Sequence, residues 1–181
     1  GKLWVWGANN LGQLGNNSTT YSRVPIRSTI QYAVSFISAG VNYAAIIGKE
    51  DNDLLTWGAN DSGKLGNGTV KDSLVPVLVK RGTKFISVSA GDSHSLAIDT
   101  DGNLWAWGNN NDDQLGTGTT NSSSPVQVME GTKFISISAG DSHSLAIDSE
   151  GNLWSWGSNS SGQLGNNTTT VSRVPIQIKE G

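Results

Sequence analysis

The sequence predicts an all-β protein, a β-propeller with about 3.5 blades of four antiparallel strands each. Three observations lead there. A Trp-Gly pair returns at Trp6, Trp57, Trp107 and Trp156, a period of about 50 residues that falls in the range of propeller blades. Between these pairs the chain runs in short apolar or alternating segments, the pattern of strands, with no helical spacing sustained over a dozen residues. The intervals are crowded with Gly, Asn, Ser and Thr, residues that make tight turns.

Each piece of the repeat has a structural reading. "FISVSAG" from Phe85 and "FISISAG" from Phe134 alternate and stop at a glycine, so each is a strand; "VSFISAG" from Val34 is a degenerate copy. "HSLAID", at His94–Asp99 and His143–Asp148, is a short apolar second strand. "DTDGN" (Asp99–Asn103) and "DSEGN" (Asp148–Asn152) are Asp/Gly hairpin turns. "NLWAWG" alternates, which places Trp105 and Trp107 on one face of a third strand. A fourth strand holds Val126 and Val128, or Val174, Ile176 and Ile178. The proline that enters it (Pro25, Pro76, Pro125, Pro175) marks a strand start or a sheet edge, where a missing N–H costs nothing. The expected units are a partial blade at 1–33 and blades at 34–82, 83–131 and 132–181. Four Trp-Gly halves stand against three Phe-to-Ile halves, so the expectation is one stretch of a longer propeller.

Taken together, A-G-x-x-H-S-L-A, D-G-x-L-W-x-W-G, N-x-x-G-Q-L-G and V-P resemble the repeat of the regulator-of-chromosome-condensation family, over essentially the whole chain. The resemblance implies a seven-bladed ring in a complete member, roughly 350 residues at this period. It also implies two kinds of activity known in the family. One is nucleotide exchange on a small GTPase, which uses a protruding wedge and basic segments not found here. The other is inhibition of β-lactamase by secreted bacterial members through loops on one face.

Composition excludes several classes of function. The formal charge is −3, and the densest basic cluster is Lys80-Arg81 with Lys84, so no nucleic-acid partner is expected. No apolar stretch is long enough for a membrane helix. Cysteine is absent, which rules out disulfides and thiolate chemistry. "DSHS" names the members of a catalytic triad, but a triad needs convergence in space, and here the same four residues recur in register. "DTDGN" lacks the bidentate Glu of a calcium loop, and Gly63-Lys64 lacks the spacing of a phosphate loop. No catalytic residue, metal or cofactor is expected.

What recurs is expected to be architecture. Trp6, Trp57, Trp107 and Trp156 should pack blade on blade, and His94 and His143 should each satisfy a backbone hydrogen bond. Function should lie where the copies differ, on rim loops. The candidate binding residues are Tyr21, Asn42, Tyr43, Lys71, Asp72, Asp92, Asn121 and Asp141. The expected function is a non-enzymatic scaffold that binds a protein or glycan. A GTPase regulator and a purely structural segment, free to form a homo-oligomer or join the rest of a longer propeller, are the alternatives. The near identity of the segments from Phe85 and Phe134 suggests recent duplication, and with it a bacterial or phage surface protein in an extracellular setting.

Overall fold

The computed structural model describes residues 2–31 and 33–181, and all regular structure among them is β-strand. A two-stranded sheet pairs β1 (Trp4–Gly7) with β2 (Ser22–Arg27). Three four-stranded sheets follow. They are β3 (Val34–Ala39) to β6 (Ser73–Leu78) through β4 (Tyr43–Gly48) and β5 (Leu54–Gly58); β7 (Phe85–Ala90) to β10 (Ser122–Val128) through β8 (His94–Asp99) and β9 (Leu104–Gly108); and β11 (Phe134–Ala139) to β14 (Ser172–Lys179) through β12 (His143–Asp148) and β13 (Leu153–Gly157). Each is an antiparallel meander in chain order, so the turns alternate between two ends. We call the end that carries the first-to-second and third-to-fourth connections the upper face.

The turns form for local reasons. On the lower face, Asp99 accepts the backbone N–H of Asp101 and Asn103, the Asn103 amide and the Trp105 indole, all at 2.8–3.0 Å. Asp148 does the same for Glu150, Asn152 and Trp154. Burial works against these charges, but the donors outweigh it and hold Asp148 down to about 2, with Asp99 lowered in the same direction. On the upper face the long connection is organised by one buried asparagine per sheet. The Oδ1 atoms of Asn9, Asn60, Asn110 and Asn159 accept the N–H of Leu14, Leu65, Leu115 and Leu164 at 2.8–3.0 Å. Their amides donate back to carbonyls further along the loop: Ser18 and Thr20, Thr69 and Lys71, Thr119, and Thr168 and Thr170. The fourth strands form sheet edges, and their ladders shift register around the proline, as its lost N–H requires.

The sheets stack face on face, so the core is divided into junctions. One cluster gathers Ala45, Ile47, Leu54 and Val79 of the second sheet against Phe85, Val88, Ala97 and Trp107 of the third. The next gathers Leu96, Ile98, Leu104, Ala106 and Val128 against Phe134, Ala146 and Trp156. Trp105 and Trp107 do lie on one side, as the alternation predicts, both on the second-to-third junction.

Each junction is fixed by the same latch. The indole N–H of Trp57, Trp107 and Trp156 donates to the carbonyl of Gln13, Lys64 and Gln114 in the preceding sheet's loop, at 2.9, 2.8 and 2.8 Å. Two residues beyond each carbonyl a glycine lies against the ring. A Cβ on Gly15, Gly66 or Gly116 would come within 2.6–2.8 Å of that indole, and all three have positive φ. The Q-L-G motif is therefore an acceptor, a buried leucine and a space for tryptophan. Trp6 departs from the expected core role: it is 60% exposed, because among the described residues no sheet precedes it. Ile37 is 66% exposed where its equivalent Val88 is 3% exposed, because β1–β2 lacks the two strands that would cover it.

Replacing Asn110 with Ala removes the Leu115 acceptor and strands buried backbone groups, so Asn110→Ala should cost about 3 kcal/mol. The neighbouring exposed Asn111→Ala should stay within about 0.5 kcal/mol. Urea unfolding midpoints of the two variants measure the difference.

Candidate functional site

The upper face brings the expected binding positions to one side of the molecule. The inner strands β3, β7 and β11 lie side by side, and their upper turns converge. Each turn is closed by a glycine N–H donating to a carbonyl three residues on: Gly40 to Tyr43, Gly91 to His94 and Gly140 to His143, at 2.9–3.0 Å. The turns approach so closely that a Cβ on Gly40 would fall 2.6 Å from the Gly91 carbonyl oxygen. Serine hydroxyls tie them together: Ser38 accepts the Ala90 N–H at 3.0 Å and Ser89 that of Ala139 at 2.9 Å. The result is a shallow depression of about 310 Å³ floored by Ala-Gly pairs, with Val41, Asp92 and Asp141 on its rim. All three rim side chains are exposed.

The outer part of the face is built by the long loops, which dock on the inner turns through Ala59, Asn109 and Ser158 N–H groups on the carbonyls of Asn42, Ser93 and Ser142. Tyr21 and Lys71 project from these loops and are exposed, with the Arg23 guanidinium 5.4 Å from the centre of the Tyr21 ring. Asp72 and Asn121 sit on the same face, but their oxygens cap the Asn60 and Asn110 N–H at 2.8 and 2.7 Å. Those two residues hold the loop. Asn42 is half-buried, and its carbonyl is the one that Ala59 uses.

Tyr43 corrects the expectation. It opens β4 and is buried, with its hydroxyl 2.7 Å from the His94 carbonyl and 2.8 Å from Ser95 Oγ in the next sheet. A side chain so enclosed has no surface to offer a partner. His94 holds the same place one sheet on, and it bonds a side chain where a backbone bond was expected. Its Nε2 lies 2.9 Å from Ser144 Oγ, which itself donates to the Gln114 carbonyl at 2.7 Å. Ser144 has spent its proton, so Nε2 carries the hydrogen and Nδ1 is a bare acceptor, buried without a partner among the described residues. Burial, then the neighbouring charge of His143, lowers the His94 pKa from 6.5 to about 4. His143, expected in the repeat core, is only half-buried, since among the described residues no further sheet brings it a serine. The signal for this relay was in the sequence, in the pairing of a Tyr or His with a Ser about 50 residues on.

The profile of the regulator of chromosome condensation (RCC1) repeat matches residues 1–47, 51–98, 101–147 and 150–181. A second profile of the same description matches 85–114 and 134–163. Each complete match of the first profile joins the outer two strands of one sheet to the inner two of the next. The ultraviolet-B receptor UVR8 of Arabidopsis thaliana is 31% identical over 108 residues, which is 58% of this chain and 24% of the receptor. The RCC2 homologue of Danio rerio is 31% identical over 110 residues, 59% of this chain and 22% of that protein. Prp20p of Saccharomyces cerevisiae, solved together with a study of its binding to Gsp1p and histones, superimposes with a TM-score of 0.86 at 24% identity, over 99% of this chain and 47% of that one. Human WBSCR16 superimposes with a TM-score of 0.86 at 19% identity, over 99% and 48%. The chain thus spans about a quarter of the first two proteins and just under half of each solved propeller. The glycan and bacterial-surface expectations draw no support from these relatives.

Between pH 6.5 and about 4 the unfolded chain takes up a proton at residue 94 that the folded chain refuses. Stability should therefore fall as pH drops through that window, by about 3 kcal/mol from this group. In His94→Gln, which keeps a donor for Ser144, the corresponding part of the pH slope should vanish. Denaturant titrations at pH 7, 5.5 and 4 on both proteins measure it.

Proposed function

Because the chain belongs to the regulator of chromosome condensation (RCC1) repeat family, we propose that it is a non-enzymatic protein-binding module whose ligand side is the upper face. One observation carries this reading. The loop asparagines, the turn aspartates and the relay serines, which recur in register, all have internal partners. Exposed side chains that differ from sheet to sheet gather on that face, as Val41 against Asp92 and Asp141 on the inner rim, and Tyr21 and Lys71 further out. Two carboxylates beside an apolar valine suit a partner that presents a basic side chain next to an apolar one. Asp92 and Asp141 would steer it, and Tyr21 would supply an aromatic contact. Asp72 and Asn121 would contribute through the loop shape they hold.

Prp20p is described with its binding to Gsp1p and histones. A small GTPase of the Gsp1p kind is the first partner to try, and histones, being basic, are the second.

A photoactivatable amino acid at position 92 or 141, and one at position 130 on the lower face, tests the assignment. Adducts with Gsp1p or histone from 92 and 141 but not from 130 are the expected result. Asp92→Lys combined with Asp141→Lys should weaken that binding roughly tenfold or more. Adducts from position 130 alone would move the ligand to the lower face and overturn the reading.

A further inference from the structure

We propose that a groove on the outer flank of the second-to-third junction is a binding site for a phosphorylated serine or threonine on a partner protein. Both sheets that frame it carry all four strands, so its walls are whole. The long loop of the second sheet crosses to the third, where the Gly68 N–H donates to the Ser123 carbonyl at 2.8 Å. Beside that crossing a groove of about 380 Å³ opens between Lys80 and Arg81, just past the end of β6, and Ser124 and Pro125 of β10. Arg81 is exposed, and among the described residues no carboxylate pairs with it or with Lys80. Lys80 holds its ammonium 4.3 Å from the centre of the Trp105 ring, a contact that keeps the charge at the groove without using its N–H groups on an acceptor. Ser124 is exposed too, and only its backbone groups are engaged, both with Ser122 Oγ.

The other junctions repeat the place without the chemistry. Thr29-Ile30 and Met129-Glu130 hold the positions of Lys80-Arg81, and Val75 and Val174 hold that of Ser124. At the first-to-second junction the Thr29 hydroxyl is already used, donating to the Gly15 carbonyl at 3.2 Å. Three departures from the repeat thus meet in one groove, and all three side chains are donors without an acceptor among the described residues. Two cations and a hydroxyl match the charge of about −2 and the three acceptor oxygens of a phosphate monoester. A carboxylate would leave a donor and a positive charge unmatched. A nucleic-acid backbone would need a stripe of cations. Here the next basic residue, Lys84, is paired with Asp53 at 2.6 Å, on a chain with a formal charge of −3. A phosphate on a protein segment presents one dianion, which this groove can satisfy.

Fluorescence anisotropy tests the site on the whole chain, with a labelled peptide pool randomised around one phosphoserine. That pool should bind at least about tenfold more tightly than the same pool with serine or glutamate at the fixed position. Three variants borrow a residue that the repeat already carries at the same place: Lys80→Met, Arg81→Glu and Ser124→Val. Circular dichroism should show all three folded. Arg81→Glu should weaken phosphopeptide binding at least about tenfold, and Lys80→Met and Ser124→Val roughly threefold or more each. Lys49→Glu makes the same change of charge at an exposed residue outside the groove and should alter binding less than about twofold. No binding, or equal binding of the three pools, would overturn the proposal. So would a loss in Lys49→Glu equal to that in Arg81→Glu, which would reduce the effect to net charge. An oligothymidylate of matching length that binds more tightly than the phosphopeptides, and is lost in Arg81→Glu, would overturn it by giving the groove to nucleic acid.

Discussion

The bond from a tryptophan indole to the carbonyl of the preceding sheet's Q-L-G loop is the interaction on which the rest of the structure depends. It ties the third strand of one sheet to the longest loop of the one before, across 42–44 residues of sequence. Several demands converge on it. The loop must hold its carbonyl in one direction, which the buried asparagine secures. It must leave room for the ring, which the positive-φ glycine secures. The apolar floor beneath must be flat enough to take an indole, which the alternation of the neighbouring strands provides.

From this follows a core divided by junction. Each cluster belongs to two sheets and to no others, so stability accumulates joint by joint, as in repeat proteins generally. The joints are alike in plan and different in detail. Tyr43 meets Ser95 at one junction, and His94 meets Ser144 at the next. The Gln of the loop becomes Lys64 in the second sheet, with Asp61 paired to it at 2.6 Å; the corresponding positions in the first sheet are Gln13 and Asn10, joined by an amide hydrogen bond. Such paired substitutions keep each joint satisfied while making it unlike its neighbours. They also explain why one junction contains a buried imidazole that resists protonation and the other does not.

Repetition also separates architecture from recognition. The loop asparagines and turn aspartates that recur from copy to copy have internal partners each time, and so have little left for a ligand. Asp72 and Asn121 differ from Tyr21 at the same repeat position, but they cap the loop and stand between the two categories. Val41, Asp92 and Asp141 surround the converging inner turns with no such duty among the contacts described, and the proposed recognition surface is centred there.

The sequence by itself determined the repeat, the four-strand unit, the turns and the tryptophan positions, because each is written in local spacing and in residues with strong backbone preferences. It marked Asp92, Asp141, Tyr21 and Lys71 as variable loop positions, and these do lie on one exposed face. Tertiary structure decided burial. Tyr43 reads as a loop residue beside Asn42, yet the next sheet encloses it. Trp6 reads as core, yet among the described residues no sheet covers it. Both outcomes depend on what lies across a junction, and a side chain's neighbours there are about 50 residues away, where local patterning has no hold. The serine partners of Tyr43 and His94 belong to the same class: each residue was visible, and only the packing of sheet on sheet made them a pair.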